Sequence, residues 1–503
     1  MIPQNSKKII VRPPVVAIMG HIDHGKSTLL SYIRKNKEPL DEAGGITQHI
    51  SAYEVEHIAK DGKKHPITFI DTPGHEAFGG IRRRGVSAAD IVVLVVSAED
   101  GVKPQTLEAF NLIKESKTPY LVAITKIDKP EANLERTKQS LAENEIYVEG
   151  YGGDIPSVSV SSKTGQGIDD LLNMILLVSE METLKGDSHA LAEGVIIESN
   201  RDIKKGISAT CIIKNGMIEK GMFIVSGTAS SPVRIMENYL GKPLDNATFS
   251  SPIKIIGWDE LPLVGNGFKV FKERELAREQ IKKARETETN NGNITSNGSG
   301  ASTYCIPLIL KADTGSSLEA IISEIKKLAT DRVCAKIIFS GIGTVGESDV
   351  RQASGKEKAV IVGFSVKVDS PAKHLAERDE IVIKTFDIIY EMNEWVKETL
   401  ATKIPKEKVL ESIGRAKILK IFSKVKDKQI VGGRVEKGSV TVGAQVKIQR
   451  REVEIGEGKI RELQQQKVTT AEVKEGREFG ALIVSNIEIA PGDYIDNFII
   501  TEK

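Results

Sequence analysis

Residues 20–27 read Gly-His-Ile-Asp-His-Gly-Lys-Ser and follow the apolar run Val15-Val16-Ala17-Ile18-Met19. The spacing G-x-x-x-x-G-K-[ST] commits this stretch to a strand, a tight loop and a helix wrapped around a triphosphate. Gly20 and Gly25 let the backbone come close to the phosphates, so that successive N–H groups across His21, Ile22, Asp23 and His24 point inward. Lys26 reaches the β- and γ-phosphates, and the Ser27 hydroxyl suits Mg²⁺. Thr28 continues into Leu29, Leu30 and Ile33 at helical spacing, which places the phosphates at a helix N-terminus. The loop predicts nucleoside triphosphate binding.

A second phosphate-site element, Asp71-Thr72-Pro73-Gly74-His75, follows the strand-like Ile67-Thr68-Phe69-Ile70. A carboxylate at that strand end suits a second Mg²⁺ contact. The N–H of Gly74 can approach the γ-phosphate. The base reader is Thr125-Lys126-Ile127-Asp128, after the apolar Tyr120-Leu121-Val122-Ala123-Ile124. Guanine offers two adjacent donors, N1–H and the N2 amine, and one carboxylate accepts both, whereas adenine presents an acceptor at N1. Asp128 therefore favours GTP over ATP, Lys126 can lay its stem along the base, and the backbone of Ser161-Ser162-Lys163 can meet guanine O6. In the polar segment Gly44-Gly45-Ile46-Thr47-Gln48-His49, Thr47 can hold Mg²⁺ and the γ-phosphate and release both after hydrolysis. His75 is the candidate for aligning the attacking water, because phosphoryl transfer is mostly positioning and charge stabilisation. Arg82-Arg83-Arg84 reads as a solvated or docking face.

At 503 residues the chain exceeds a single core, and about three to five domains are expected. An apolar share of 40 % argues against general disorder. No stretch approaches the ~18 consecutive apolar residues of a membrane span, and the first residues lack a signal-peptide core. Cys211, Cys305 and Cys334 lie far apart and suggest packing in a reducing cytosol rather than a disulfide or a zinc site. The expectation is a cytoplasmic protein, away from membranes and monomeric in solution. A net charge of +1 neither supports nor excludes an RNA-containing partner.

The remaining pattern predicts a multidomain fold. A tail at 1–11 precedes an α/β P-loop GTPase domain at 12–182, then a β-barrel at 190–272. A charged helix and flexible linker occupy 273–302. An α/β/α sandwich-like domain with a parallel sheet covers 303–390, a long connecting helix 386–405, and a second β-barrel 410–503. The segment Ile213-Lys214-Asn215-Gly216 is echoed by Val435-Glu436-Lys437-Gly438, which reads as two related barrels. The last barrel carries Lys447, Arg450, Arg451, Lys459 and Arg461, a cluster suited to RNA phosphates.

Gly20 to Lys26 and Asp71 to His75 together resemble the translational GTPases. Glu42-Ala43-Gly44-Gly45-Ile46-Thr47-Gln48-His49-Ile50 is similar to the switch segment of bacterial translation initiation factor two. Gly101 to Thr106, Lys311 to Ser316 and Gly341 to Val345 fit the same family. The resemblance implies a factor that uses GTP/GDP and Mg²⁺, places formylated initiator tRNA on the small ribosomal subunit and promotes joining of the large one. Hydrolysis would follow on the assembled ribosome, with contacts to rRNA. It implies His75 as the water-orienting residue and the last barrel as the initiator-tRNA region. An elongation-type factor is the alternative, which the 303–390 domain argues against. Thr125 stands where the family usually carries Asn, Ser162 where it carries Ala, and Phe479 where it tends to have Cys.

Overall fold

A computed structural model describes residues 9–34, 47–59, 62–202, 205–291, 304–329, 333–355, 359–402, 408–451 and 453–502. Gly44, Gly45 and Ile46 of the expected switch segment and the Gly/Asn-rich stretch from 292 lie outside them. The chain divides into two compact units, Met1–Lys403 and Ile404–Lys503.

In the first unit, apolar runs too short for helices and rich in β-branched residues become buried strands. Strands Val15–Gly20, Lys64–Asp71, Ile91–Ser97, Tyr120–Thr125 and Ser157–Ser159 lie parallel, and Ser51–Ile58 pairs antiparallel on the Lys64–Asp71 edge. Alternate residues of Val15–Met19 enter opposite cores. Val15, Ala17 and Met19 join Ile81, Ala109 and Ile113 on one face, while Val16 and Ile18 join Leu29, Ile33 and Ile175 on the other. This doubly covered parallel sheet puts the loops that follow its strands on one edge, where α/β folds bind ligands.

Residues 193–271 form a seven-stranded antiparallel sheet and a two-stranded ribbon, Met217–Glu219 with Asn246–Thr248. Their inward residues, among them Ile196, Cys211, Ile224, Ile255 and Phe268, make one core, so the sheet wraps around it as a barrel. The charged helix runs from Arg274 to Asn291 and so includes Asn290 and Asn291, which sequence alone assigns to the linker. Strands Tyr304–Ala312, Val333–Ile342, Val360–Phe364 and Ile383–Phe386 form a parallel sheet with helices on both faces. The helix Ile389–Thr402 is no free spacer: along its length Ile389, Met392, Val396 and Leu400 are buried in the core beside that sheet.

Two expectations are corrected here. Cys305 and Cys334 are joined in a disulfide, because parallel register sets them opposite each other with Cα atoms 4.5 Å apart. Their 29-residue separation hides the pairing in sequence. Cys211 does pack as a buried free thiol, its pKa pushed up by burial. The two barrels also differ in construction. In the second unit, strands Lys408–Val425, Tyr494–Glu502, Gln445–Arg450, Val453–Gln465, Glu478–Ser485 and Lys428–Thr441 pair in succession, and the last pairs back on the first, closing a ring. Val435–Gly438 lies inside one of these long strands, whereas Ile213–Gly216 ends at a turn. Among the described residues no helix is long and apolar enough to cross a membrane.

Candidate functional site

The phosphate loop leaves the strand Val15–Gly20 at its carboxyl end. Gly20 has φ +146°, and a Cβ there would lie 2.3 Å from the carbonyl oxygen of Val95, so only glycine fits beside the neighbouring strand. The helix Lys26–Ile33 starts from Gly25, and Lys26 turns back to donate to the His21 carbonyl at 2.5 Å. Gln105 accepts from the Ile22 N–H at 2.9 Å and holds the loop from outside. Burial lowers the Lys26 pKa to about 8, with Asp71 opposing the shift.

The Asp71–His75 loop meets the phosphate loop directly. A Cβ on Gly74 would stand 2.7 Å from Lys26 Nζ and 3.2 Å from the Ile22 nitrogen, so the two backbones approach as closely as glycine permits. Thr72 donates to the Ile18 carbonyl at 2.8 Å and thereby fixes the loop rather than facing the cavity. Ser27 Oγ and Thr47 Oγ1 lie 2.9 Å apart, so the two hydroxyls read from sequence as Mg²⁺ ligands come together. Asp71 is buried at the adjacent strand end.

Arg82 overturns the reading of the arginine run. It is 1 % exposed and donates to the carbonyls of Pro73, Gly74 and His75, and also pairs with Glu108. A guanidinium has enough fixed donors to bind three carbonyls and a carboxylate together, which an exposed cation would not need. Arg84 pairs with Glu319 of the third domain, and Arg83 alone is solvated.

At the base end, Thr125 Oγ1 donates to the His24 carbonyl at 2.6 Å. One hydroxyl therefore ties the base loop to the phosphate loop at the position where the family usually has Asn. Asp128 is exposed and accepts from Ser161 Oγ at 2.6 Å, and that bond holds its carboxyl below the usual range. Ser161 is consumed in bracing Asp128, while Ser162 and Lys163 line the cavity. Glu99 holds both Lys126 and Lys129, each at 3.0 Å.

A cavity of about 330 Å³ joins these loops, lined by Ile22, Asp23, Gly25, Lys26, Ser27, Thr28, Thr47, Gly74, His75, Thr125, Lys126, Asp128, Lys129, Ser162 and Lys163. Of the sequence candidates, Gly20, His21, His24, Asp71, Thr72, Pro73, Ile127 and Ser161 stand behind this lining. His24 is buried, and burial drives its pKa down to about 4, so it is a neutral packing residue. His75 Nδ1 accepts from the Ala77 N–H at 2.8 Å, and burial lowers its pKa. The neutral ring therefore carries its proton on Nε2. Sequence reading assigned no site role to Lys129, Glu99, Gln105 or Arg82; Lys129, beside the base motif, and Gln105, within the family-like Gly101–Thr106, carried a local signal.

In the second unit a groove of about 850 Å³ is lined by Phe422, Gly433, Arg434, Gln464, Phe479 and neighbours. Phe479 lies across the strand pair from Gly433, where a Cβ would stand 2.8 Å from its ring. The basic cluster is partly self-neutralised: Lys447 pairs with Glu454 at 3.0 Å and Arg450 binds Asp493 at 2.8 Å.

Family models match along the first unit. They are the Elongation factor Tu GTP binding domain at 12–180, the Elongation factor G domain 2 at 191–271 and Translation-initiation factor 2 at 279–397. Among solved structures, GDP-bound aIF5B from Aeropyrum pernix aligns over 97 % of this chain and 92 % of its own, at 26 % identity and TM-score 0.47. The bacterial selenocysteine-specific elongation factor EF-Sec aligns over 51 % of this chain and 45 % of its own, at 24 % identity and TM-score 0.41. The translation initiation factor IF-2 of Anoxybacillus flavithermus (strain DSM 21510 / WK1) is 40 % identical over 512 residues, covering all of this chain and 70 % of that protein. With a GTP-binding domain carrying the loops described above and this identity along its whole length, the chain is a translational GTPase and belongs to the translation initiation factor IF-2 family.

Proposed function

We propose that the GTP-bound chain promotes binding of formylmethionyl initiator tRNA to the small ribosomal subunit and joining of the large one, then hydrolyses GTP on the assembled ribosome. The observation that carries the nucleotide half is the single cavity reached by Lys26, Thr47, His75 and Asp128. Residues 12–182 are read as the switch domain, 190–272 and 303–390 as ribosome-contacting modules, and 410–503 as the tRNA-binding barrel. The groove beside Phe479, with Arg434 on its wall, supports the last assignment.

In this reading Lys26 neutralises the β- and γ-phosphates, and the N–H groups of residues 21–25 cradle them. Ser27, Thr47 and Asp71 would hold Mg²⁺, and the juxtaposed hydroxyls of the first two fit a hard cation that also takes phosphate oxygens. The ion, when bound, would neutralise charge developing between the β- and γ-oxygens. Asp128 accepts from guanine, with Ser161 fixing its carboxylate. His75 orients water through its Nε2–H; with Nδ1 already occupied it does not take the proton of that water. Release of the γ-phosphate frees Thr47 and loosens the factor from the ribosome.

The test is GTP turnover with and without assembled ribosomes, in the native chain and in His75→Ala. Stimulation by ribosomes in the native chain and its loss in the variant, with nucleotide affinity kept, is the expected result. Absence of stimulation in the native chain rules the reading out. Binding curves for formylated and unformylated initiator tRNA test the barrel separately.

A further inference from the structure

The first turn of the Ile389–Thr402 helix touches both loops that would sense the γ-phosphate. From one side, Gln48 is only 3 % exposed; its amide donates to the Asp387 carbonyl at 2.8 Å and its oxygen accepts from the Ile389 N–H at 3.4 Å. Gln48 is next to Thr47, whose hydroxyl meets Ser27. On the other side, the Tyr390 ring lies on the imidazole of His75, with centroids 4.2 Å apart and planes tilted by 59°.

The two rings differ in accessibility. His75 is 8 % exposed and its Nε2 is covered without a hydrogen-bond partner, while Tyr390 is 49 % exposed. With Nδ1 held by Ala77, Nε2 is the nitrogen left for water, and here it is shut in. Tyr390 cannot withdraw alone by backbone movement, because Met392, Val396 and Leu400 anchor its helix in the core and Phe386 packs on Trp395 with centroids 5.6 Å apart. The helix ends at Thr402, and the second compact unit begins at Ile404.

We propose that Tyr390 is a positioning residue for hydrolysis: its ring covers His75 and keeps unstimulated turnover low until the helix's first turn, gripped by Gln48, shifts. Any partner that moves this turn frees His75 toward the nucleotide. The inference rests on the reading of His75 as the water-orienting residue.

The experiment is single-turnover GTP hydrolysis by the full chain without ribosomes. Tyr390→Ala should raise the rate about three- to tenfold, the range that one aromatic contact can hold back, with KM for GTP unchanged. Tyr390→Phe, which keeps the ring, should restore the low rate. Adding His75→Ala to Tyr390→Ala should remove the gain. Tyr390→Leu, which keeps apolar cover, serves where the alanine variant does not fold, and should also raise the rate. A native-like rate in a folded Tyr390→Ala or Tyr390→Leu chain overturns the proposal, as does a gain that survives His75→Ala. If His75→Ala alone keeps full ribosome-stimulated turnover, the reading of His75 has failed instead.

Discussion

Lys26 sits buried between two glycine-built loops, and burial brings its pKa down to about 8. The free site therefore loses the lysine's proton as pH rises through 8, whereas a bound phosphate favours the protonated form. Nucleotide affinity is expected to hold below pH 8 and fall above it, by up to about tenfold per pH unit until the bound form also titrates. Titration with a fluorescent guanine nucleotide between pH 7 and 9.5 checks this, and a flat profile would contradict it. At the other end, Asp128→Asn replaces the acceptor for two guanine donors by an amide. GTP binding should weaken by about 1–3 kcal/mol while xanthosine triphosphate gains; competition between the two measures the exchange. Both residues were legible because spacing alone marks them. Thr125 was legible only as a departure, and its bond to the His24 carbonyl required the fold to bring the two loops together.

Among elements, the Pro73–His75 loop depends on a side chain from the following helix, Gly79–Ala88. Arg82→Ala would leave three carbonyls and Glu108 without their donor. A loss of about 1–3 kcal/mol in the first unit is expected from the buried carbonyls left without a donor, since Glu108 itself is partly exposed and can be solvated. Arg82→Lys should recover only part, because one ammonium cannot span the same acceptors. Thermal melts of the two variants against the native chain decide this. The strands of the first domain were legible from their apolar runs, and so was the parallel sheet beyond residue 303. The role of Arg82 was not, since three adjacent arginines look alike in sequence, while in the fold Arg82 holds the loop, Arg84 reaches Glu319 and Arg83 alone stays in solvent. The Cys305–Cys334 bond was hidden for a related reason: strand register, not spacing, makes them neighbours.

At the scale of the molecule, the second unit has a closed ring of strands and a core of its own, from Ala416 through Val446 to Ile495. Residues 404–503 should therefore fold alone. Far-UV circular dichroism of that fragment should report β structure lost in one cooperative melt, and a gradual melt would contradict it. The sequence showed a barrel here, but not that its ends join, because closure requires the strand Lys408–Val425 to pair both with its chain neighbour Lys428–Thr441 and with the distant Tyr494–Glu502. The ion pairs of Lys447 and Arg450 have a further consequence, for thermodynamic response to salt. Of the five cations in that cluster, two have carboxylate partners among the described residues, which leaves Arg451, Lys459 and Arg461. Only these three displace condensed counterions from an RNA without first giving up a partner. In the proposed reading of this barrel as an RNA-binding module, the cluster's share of the slope of log K against log salt should then be about −2.7 rather than about −4.5, because the acidic neighbours moderate how sharply such binding weakens as ionic strength rises.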